Sequence, residues 1–243
     1  MLSNKEIVCP NNLLDVAHKK KGVKAAIVNA GKPLPMLSVQ DAVNESLIIP
    51  IFIGDKNEIL KCAEQLKWDI SSYEIINETV ENKTAAIAAK LASKNKVKII
   101  VKGHIHTDIL MKEVLKREYN QLGKTRLSHI WHMTTTKDDG PLIITDGALN
   151  VLPNIKTKMH ILRNVIDFTN RIGIKNDVAG LADVLLVPSV ETGNGLVKML
   201  IYFSGACAAG VVVGGKVPVV ITSRSDEAQA RLASIAAAVV ALD

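Results

Sequence analysis

A chain of 243 residues with 48% hydrophobic and 22% charged residues can bury a substantial core as one large or two small domains, and this composition excludes a disordered protein. Aromatic residues make up only 3% of the chain, so the core must be aliphatic, and binding of single-stranded nucleic acid by base stacking is disfavoured. The net charge of +6 suits an acidic partner without identifying it.

Several local patterns narrow the class of protein further. The N-terminal stretch MLSNKEIVCPNNLLD has no apolar core, so a secretory signal is not expected. A basic run at 19–21 ends the first predicted helix, where cations favour the helix dipole; a nucleic-acid patch is the alternative. The weakly charged stretch 199–215 is interrupted by glycines and predicts a buried helix and strand, not a membrane span. Three scattered cysteines fit free thiols in a reducing cytosol, and a cytoplasmic protein is expected.

The first half of the chain alternates predicted helices and strands. Helices are predicted at 11–21, 38–46, 55–67, 79–94 and 109–119, and strands at 23–30, 48–53, 73–76 and 97–101. Ser38 and Asp55 are expected to cap the second and third helices. Continuous apolar strands that alternate with helices predict an α/β fold whose mostly parallel sheet is covered on both faces.

The second half predicts a hairpin, a long helix and a final block of alternating elements. Strands are predicted at 127–134, 141–145, 184–187 and 217–221, and a helix at 155–172. The segment Gly210–Val217 nearly matches the phosphate-binding loop G-x-x-x-x-G-K-[ST]. However, Val217 replaces the required hydroxyl, and a strand follows where a helix should begin. A strand–turn–strand hairpin explains the same residues.

Two polar runs follow strands in this final block and open helices. Thr222, Ser223 and Arg224 converge on one helix start, an arrangement that suits a phosphate, although a solvated surface arginine is the alternative. The other run, 191–194, follows the strand at 184–187 and could face the same anionic ligand, because ligands collect at strand ends.

The neighbouring polar residues allow a functional and a structural interpretation. Asp226 either favours the helix dipole or accepts a proton from a substrate. Asn194 either contacts the ligand or caps its helix, and Lys198 either contacts the ligand or lies on a solvated helix face. The residues by themselves do not decide between these alternatives.

The histidines do not predict a metal site. His104 and His106 are two residues apart at a predicted strand end and would point the same way on an extended backbone, but no third ligand lies nearby. We expect one to pack or cap, and the other to face a cleft where neutral imidazole can hydrogen-bond a phosphate or carbonyl oxygen. His129 and His132 lie on opposite faces of one strand, so at most one of them can face a given site.

Read together, the motifs of this chain resemble the phosphate acetyl/butyryltransferase family, closest to its butyryltransferase-like branch. The matching motifs are KGHIHTD at 102–108, LSHI at 127–130, ITDGALN at 144–150, ADVLLVP at 182–188, ETGN at 191–194 with Lys198, and VPVVITSRSD at 217–226. The resemblance implies transfer of an acetyl or other short acyl group between coenzyme A and inorganic phosphate. It also implies a homodimer with coenzyme A as a substrate. No further cofactor, no metal, and no nucleic-acid or membrane partner are expected.

The same resemblance implies a domain organisation. Two α/β domains with mostly parallel sheets would form an isocitrate/isopropylmalate dehydrogenase-like scaffold, with the active site in the cleft between them. Residues 1–130 and 218–243 would form the first domain, and residues 131–217 the second.

Roles for individual residues also follow from the resemblance. Ser223 and Arg224 match the family's phosphate-side pair, and Asp226 is the candidate base that takes the proton of the coenzyme A thiol. The remaining substrate-binding candidates are His106, Thr107 and Lys112 on the opposite wall, together with Asn194, Lys198 and Thr222.

The chain departs from the family pattern after Gly173. Relatives carry a further segment of strands and helices there, whereas this chain continues directly to Val178, so a truncated second domain is expected. Ser189 replaces a usual aspartate and Gly195 a usual bulky apolar residue. An inactive remnant that retains coenzyme A or phosphate binding is therefore the main alternative. A decarboxylating dehydrogenase would need an acidic metal cluster, for which the chain offers little beyond Asp138 and Asp139.

Overall fold

The structure, a computed structural model, describes residues 3, 6–20, 22–135, 140–173, 184–223 and 226–242. The strands are β1 Val23–Val28, β2 Ile48–Gly54, β3 Glu74–Asn77, β4 Ile99–Lys102, β5 Ser128–Thr134, β6 Leu142–Thr145, β7 Val184–Leu186, β8 Cys207–Val213 and β9 Val219–Val220. The helices are α1 Asn11–Ala17, α2 Pro33–Asn44, α3 Lys56–Gln65, α4 Glu81–Ser93, α5 Thr107–Val114, α6 Ile155–Ile172, α7 Val190–Ser204 and α8 Ala228–Val240, with a 3₁₀ turn at Arg117–Tyr119. The described helices include no stretch long and apolar enough to cross a membrane.

The strands form one nine-stranded sheet in the order β3-β2-β1-β4-β9-β8-β5-β6-β7. Five neighbouring pairs are parallel: β3–β2, β2–β1, β1–β4, β4–β9 and β6–β7. The pairs β9–β8, β8–β5 and β5–β6 are antiparallel. The predicted α/β fold with a large, mostly parallel sheet is confirmed. The division into 1–130 plus 218–243 and 131–217 stays a prediction.

Helices cover both faces of the sheet, as the continuous apolar strands predict. Alternate residues of each strand point to opposite faces, so Ala25 and Ile27 of β1 pack with α1, α2, α3 and α8, whereas Ala26 and Val28 pack with α4 and α5. On the β5–β6–β8 side, α7 covers a smaller apolar cluster. The two main clusters are almost entirely aliphatic, in agreement with the scarcity of aromatic residues.

The start of α2 differs from the prediction. The helix begins at Pro33 and not at Ser38, because proline fixes φ at a helical value and lacks the N–H that the first turn leaves unpaired. Ser38 instead lies within the helix, where its hydroxyl donates to the carbonyl of Leu34 at 2.8 Å. A hydroxyl in the sequence therefore signals a cap only where no proline upstream has already started the helix.

The basic run also has a structural role that the sequence pattern missed. Helix α1 ends at Ala17, and Lys20 donates its ammonium to the carbonyls of Val240 and Leu242 at the end of α8. A cation near the carbonyls at the C-terminal end of a helix interacts favourably with the helix dipole, as the sequence pattern predicts. The helix concerned is α8, however, and not the helix that the basic run follows.

The hairpin interpretation of Gly210–Val217 is confirmed. Strands β8 and β9 pair antiparallel through Val211–Val220 and Val212–Val219, so this segment is not a phosphate-binding loop. Gly214 has a φ of +91° in the connection, which a side chain would strain. Its backbone also lies so close to Arg126 that a Cβ would be 2.5 Å from the Arg126 carbonyl oxygen.

Candidate active site

A cavity of about 220 Å³ opens between α7, the loop that follows β6 and the segment that joins β9 to α8. We call it the central cavity. It is lined by Ile7, Thr107, His129, Trp131, Gly147, Ala148, Asn194, Val197, Lys198, Ile201, Tyr202, Ala206, Ala208, Ile221, Thr222, Ser223, Asp226, Glu227 and Ala230. The two polar runs singled out in the sequence therefore meet at one cavity.

Helix α7 provides one wall. Asn194, Val197, Lys198 and Ile201 follow the i, i+3, i+4, i+7 spacing of one helix face, and all four line the cavity. The helix is capped by Ser189, whose hydroxyl accepts from the amide of Thr192 at 3.4 Å. Asn194 is thus not the helix cap, and Ser189 performs at the helix start the capping that an aspartate would also perform.

Two glycines of α7 allow a matched test of its packing. A Cβ on Gly193 would lie 2.7 Å from Cα of Gly147 and 3.0 Å from the Val187 side chain, whereas a Cβ on Gly195 would meet nothing within 4 Å. We expect Gly193→Ala to lower the free energy of unfolding by roughly 1–3 kcal/mol through overpacking. Gly195→Ala should raise it by roughly 0.5–1 kcal/mol, because alanine restricts the unfolded chain. Urea denaturation of both variants measures the difference, and equal effects would contradict the described approach of α7 to residue 147.

The segment from Thr222 to Asp226 provides the opposite wall. Helix α8 begins at Ala228, four residues later than the sequence pattern places it, so Thr222, Ser223 and Asp226 precede the helix and do not form its first turn. The amide of Ser223 donates to the Asp226 carboxylate at 2.6 Å. Arg224, predicted to bind phosphate, lies outside the described residues.

Burial sets the electrostatic character of Asp226. Its carboxyl is half-buried, and burial raises its pKa above the ordinary value. The hydrogen bond from Ser223 and the charges of Arg231 and Lys102 oppose that rise. An ionised carboxylate in this position accepts a proton more readily than one exposed to water.

Arg231 and Lys102 are residues that the sequence analysis missed. Both are buried, with 5% and 6% of their surfaces exposed. Arg231 donates to the hydroxyl of Thr222 at 2.9 Å, and Lys102 donates to the Thr222 carbonyl at 3.2 Å. An arginine in an alanine-rich helix is by default expected to lie on the solvated face, so no local signal could have identified it.

His129 and Trp131 on β5 form the apolar floor of the cavity and were also missed as site residues. Their rings meet edge to face with centroids 4.6 Å apart. Within the described part of the chain, the two ring nitrogens of His129 and the indole Nε1 of Trp131 are buried and lack hydrogen-bond partners. Burial lowers the pKa of His129 to about 4, so its imidazole is neutral near pH 7.

A buried carboxylate orders the loop beside this floor. Asp146 accepts hydrogen bonds from the amides of His129, Ala148 and Leu149 and from the side chain of Asn150, at distances between 2.6 and 3.1 Å. These bonds hold the loop 146–150 against β5, which places Gly147 and Ala148 at the cavity. The motif ITDGALN is therefore a structural support of the site.

The predicted opposite wall is brought to the cavity only in part. Thr107, the first residue of α5, lines it, whereas His106 and Lys112 do not. His106 is exposed and its ring contacts the Glu81 carboxylate at 2.9 Å. Strand β4 ends at Lys102, His104 lies in a bend and His106 is the N-cap residue of α5, so the premise that one extended strand aligns them is wrong.

The His129–His132 prediction is confirmed, since His129 lines the cavity and His132 does not. Among the described residues, no group of three or more histidines, cysteines or carboxylates is placed to hold a metal ion.

Cys207 lies next to cavity residues Ala206 and Ala208. Burial, reinforced by the charge of Asp226, raises its pKa to about 12, so this thiol stays protonated and is a poor nucleophile.

Known proteins share both the sequence pattern and the fold. A family model described as phosphate acetyl/butaryl transferase matches residues 72–179 and 174–239. The phosphate acetyltransferase of Rickettsia prowazekii is 30% identical over 285 residues, which cover 92% of this chain and 81% of the relative. The phosphate butyryltransferase of Clostridium acetobutylicum is 30% identical over 283 residues, covering 90% and 94%. A solved branched-chain phosphotransacylase from Enterococcus faecalis V583 has a TM-score of 0.78 at 24% identity, covering 90% and 98%, and shows a shared fold.

Proposed function

Since this chain belongs to the phosphate acetyl/butyryl transferase family, we propose that it transfers an acetyl or other short acyl group between coenzyme A and inorganic phosphate. The observation that carries the proposal is the meeting of Ser223, Asp226, Asn194 and Lys198 at one cavity of about 220 Å³. This volume fits an acyl phosphate and the thiol end of coenzyme A, while the rest of the coenzyme extends outside.

In the proposed reaction Asp226 takes the proton from the coenzyme A thiol. The thiolate attacks the carbonyl carbon of the acyl phosphate, and a tetrahedral intermediate with one oxyanion forms. Collapse of this intermediate restores the carbonyl, breaks the bond from carbon to the phosphate oxygen, and releases inorganic phosphate with the thioester. The proton held by Asp226 passes to the leaving phosphate oxygen, which restores the carboxylate. Arg224, Ser223 and Thr222 are assigned to the phosphate, and Asn194 and Lys198 to the oxyanion or phosphate from the α7 side.

The remaining substrate-binding assignments need one revision. Thr107 keeps its place on the wall opposite Asn194, because it lines the cavity. His106 and Lys112 are proposed to contact the part of coenzyme A outside the cavity, since both are exposed on the outer surface of this wall.

Turnover tests the proposed function directly. The purified chain should form acetyl-coenzyme A from acetyl phosphate and coenzyme A without an added cofactor or metal. Arg224→Ala should raise KM for acetyl phosphate strongly, because an arginine–phosphate contact is charge-assisted. Unchanged turnover in that variant would remove Arg224 from the proposed site.

A truncated second domain and loss of activity form the second candidate. The alignments with two relatives run over 285 and 283 residues although this chain has 243, so they open gaps in this chain. The two matched segments of the family model also meet at residues 174–179, where the motifs predict the missing segment. Calorimetry together with the turnover assay separates the candidates, because an inactive remnant would bind coenzyme A without turning it over.

We further propose that the chain forms a homodimer in the cytoplasm. The described cysteines are free and buried, which suits a reducing compartment. An apolar stripe on α6 is exposed and fits a second copy: Ile155, Met159, Leu162 and Ile166. The two-domain, dehydrogenase-like arrangement is proposed on the family resemblance alone.

A charge in the α6 stripe tests the dimer. We expect Met159→Glu to convert the dimer into a monomer in light scattering, because a carboxylate would be buried against apolar side chains. Lys156→Glu, an exposed change elsewhere on the same helix, serves as the control and should remain dimeric. A wild-type chain that is already monomeric would contradict the homodimer.

A further inference from the structure

Arg231 occupies an unusual position directly behind the loop of the proposed active site. It lies in the first turn of α8, and its guanidinium makes three hydrogen bonds, one each to Thr222, Ser223 and Asp226. Nε donates to the Asp226 carbonyl at 3.1 Å, Nη1 to the Thr222 hydroxyl at 2.9 Å, and Nη2 to the Ser223 carbonyl at 2.6 Å. One rigid, planar group thus holds all three residues.

The three contacts determine where the reacting residues lie. The carbonyl of Ser223 is turned back to Arg231, while its amide is turned to the Asp226 carboxylate at 2.6 Å. Both backbone groups of Ser223 are therefore engaged, and the residue is held at the edge of the cavity, which it lines. Lysine could keep the charge at position 231, but its single nitrogen cannot reproduce a planar fork with three separate acceptors.

Arg231 and Lys102 also concentrate positive charge beneath the cavity. Both contact Thr222, and together they line a small void of about 10 Å³ below it. Within the described residues, no carboxylate oxygen lies within 4 Å of the Arg231 guanidinium. The charges of Arg231 and Lys102 both act on the Asp226 carboxylate, which lines the cavity, so their positive potential reaches the cavity through a medium of low dielectric constant.

We propose that Arg231 is a positioning residue: it holds Thr222, Ser223 and Asp226 in place from behind and, with Lys102, supplies the charge that draws a phosphate group into the central cavity. This inference rests on the proposed acyl transfer. It assigns two separable roles. The planar guanidinium of Arg231 alone fixes the positions of the residues it contacts, whereas the charges of Arg231 and Lys102 together attract phosphate. The two roles predict different kinetic changes.

Three variants separate the roles. Arg231→Lys keeps the charge and loses the fork, so kcat should fall roughly 10- to 100-fold with little change in KM for inorganic phosphate. Lys102→Met loses a charge and keeps the fork, so KM should rise roughly 10-fold with a smaller change in kcat. Arg231→Met should show both effects. Urea denaturation of each variant confirms that it is folded before kinetics are compared.

The pH dependence of kcat distinguishes the proposed role from a purely structural one, which would leave the acidic limb of the profile at the same pH. The charged and titratable groups around Asp226 among the described residues are Lys102, Lys198, Cys207, Glu227 and Arg231. Loss of the Arg231 charge removes a cation that lowers the pKa of Asp226, so the acidic limb of kcat should move to higher pH in Arg231→Met. In Arg231→Lys it should stay close to the wild-type position.

Amide hydrogen exchange and phosphate binding test the role of Arg231 independently of the proposed acyl transfer. Exchange of the Ser223 amide should accelerate in both Arg231 variants, and wild-type kcat with unchanged exchange in Arg231→Lys would overturn the positioning role. Should the wild-type chain show no turnover, the acyl transfer fails, and calorimetry with inorganic phosphate still tests the charge. Arg231→Met should then bind at least tenfold more weakly than Arg231→Lys, and equal binding would overturn the attraction.

Discussion

Replacement of Asp226 by asparagine should lower kcat for acetyl-coenzyme A formation by roughly 10²- to 10⁴-fold, the usual contribution of a general base. An asparagine oxygen can still accept the Ser223 amide that the carboxylate accepts at 2.6 Å, so the loop should keep its conformation. KM for acetyl phosphate should change little. Steady-state kinetics at saturating coenzyme A measure the effect.

Glu227 provides the matched control for this substitution. It is the neighbouring carboxylate, lines the same cavity and is exposed, so Glu227→Gln changes the same charge one residue away and should leave kcat near the wild-type value. Because burial raises the pKa of Asp226, the wild-type rate should decline on acidification at a higher pH than an ordinary aspartate would produce. Equal losses in the two variants would mean that net charge, and not proton transfer, explains the effect.

Acidification should destabilise the fold through its two buried histidines. Burial lowers the pKa of His129 and of His132 to about 4, whereas an unfolded histidine titrates near its ordinary value of 6.5. The unfolded chain therefore binds more protons between these values, and the stability present above pH 6.5 is lost as the pH falls toward 4. At pH 5 the loss is about 2 kcal/mol for His132, and the contribution of His129 has the same sign.

His132→Leu isolates one of these contributions. His132 lies outside the central cavity, and its Nδ1 is buried without a hydrogen-bond partner in the described part of the chain, so an apolar side chain of similar size is well tolerated there. Urea denaturation at pH 7.5 and pH 5 should show that the variant loses about 2 kcal/mol less than the wild-type chain between the two conditions. An identical loss in both proteins would show that this histidine is not buried in its neutral form.

Local patterns predicted the two walls of the cavity better than the residues behind them. An apolar strand that runs into hydroxyls and a helix is a local event, so Thr222, Ser223 and the start of α7 were recognised from the sequence. Arg231 was not, because an arginine in an alanine-rich helix has the same local pattern whether it faces solvent or a loop. Only the packing of α8 beside β9 decides between them.

The β5 floor shows a second limit of sequence patterns. Alternation places His129 and Trp131 on one face of the strand and His132 on the other, and the structure agrees. Which face meets the cavity depends on the strand order β9-β8-β5-β6, which involves residues far apart in the chain. The predicted start of α2 at Ser38 was wrong for a local reason, since Pro33 begins the helix before Ser38 can cap it.

Strand β9 is only two residues long, yet Val219 and Val220 join the parallel flank of the sheet at β4 to the antiparallel flank at β8. The sheet therefore narrows at this point to a waist of two residue pairs on each side. Torsion of one flank against the other would concentrate at that waist, and Thr222 follows it by two residues. Any rotation of one flank against the other would therefore displace the residues that follow Thr222.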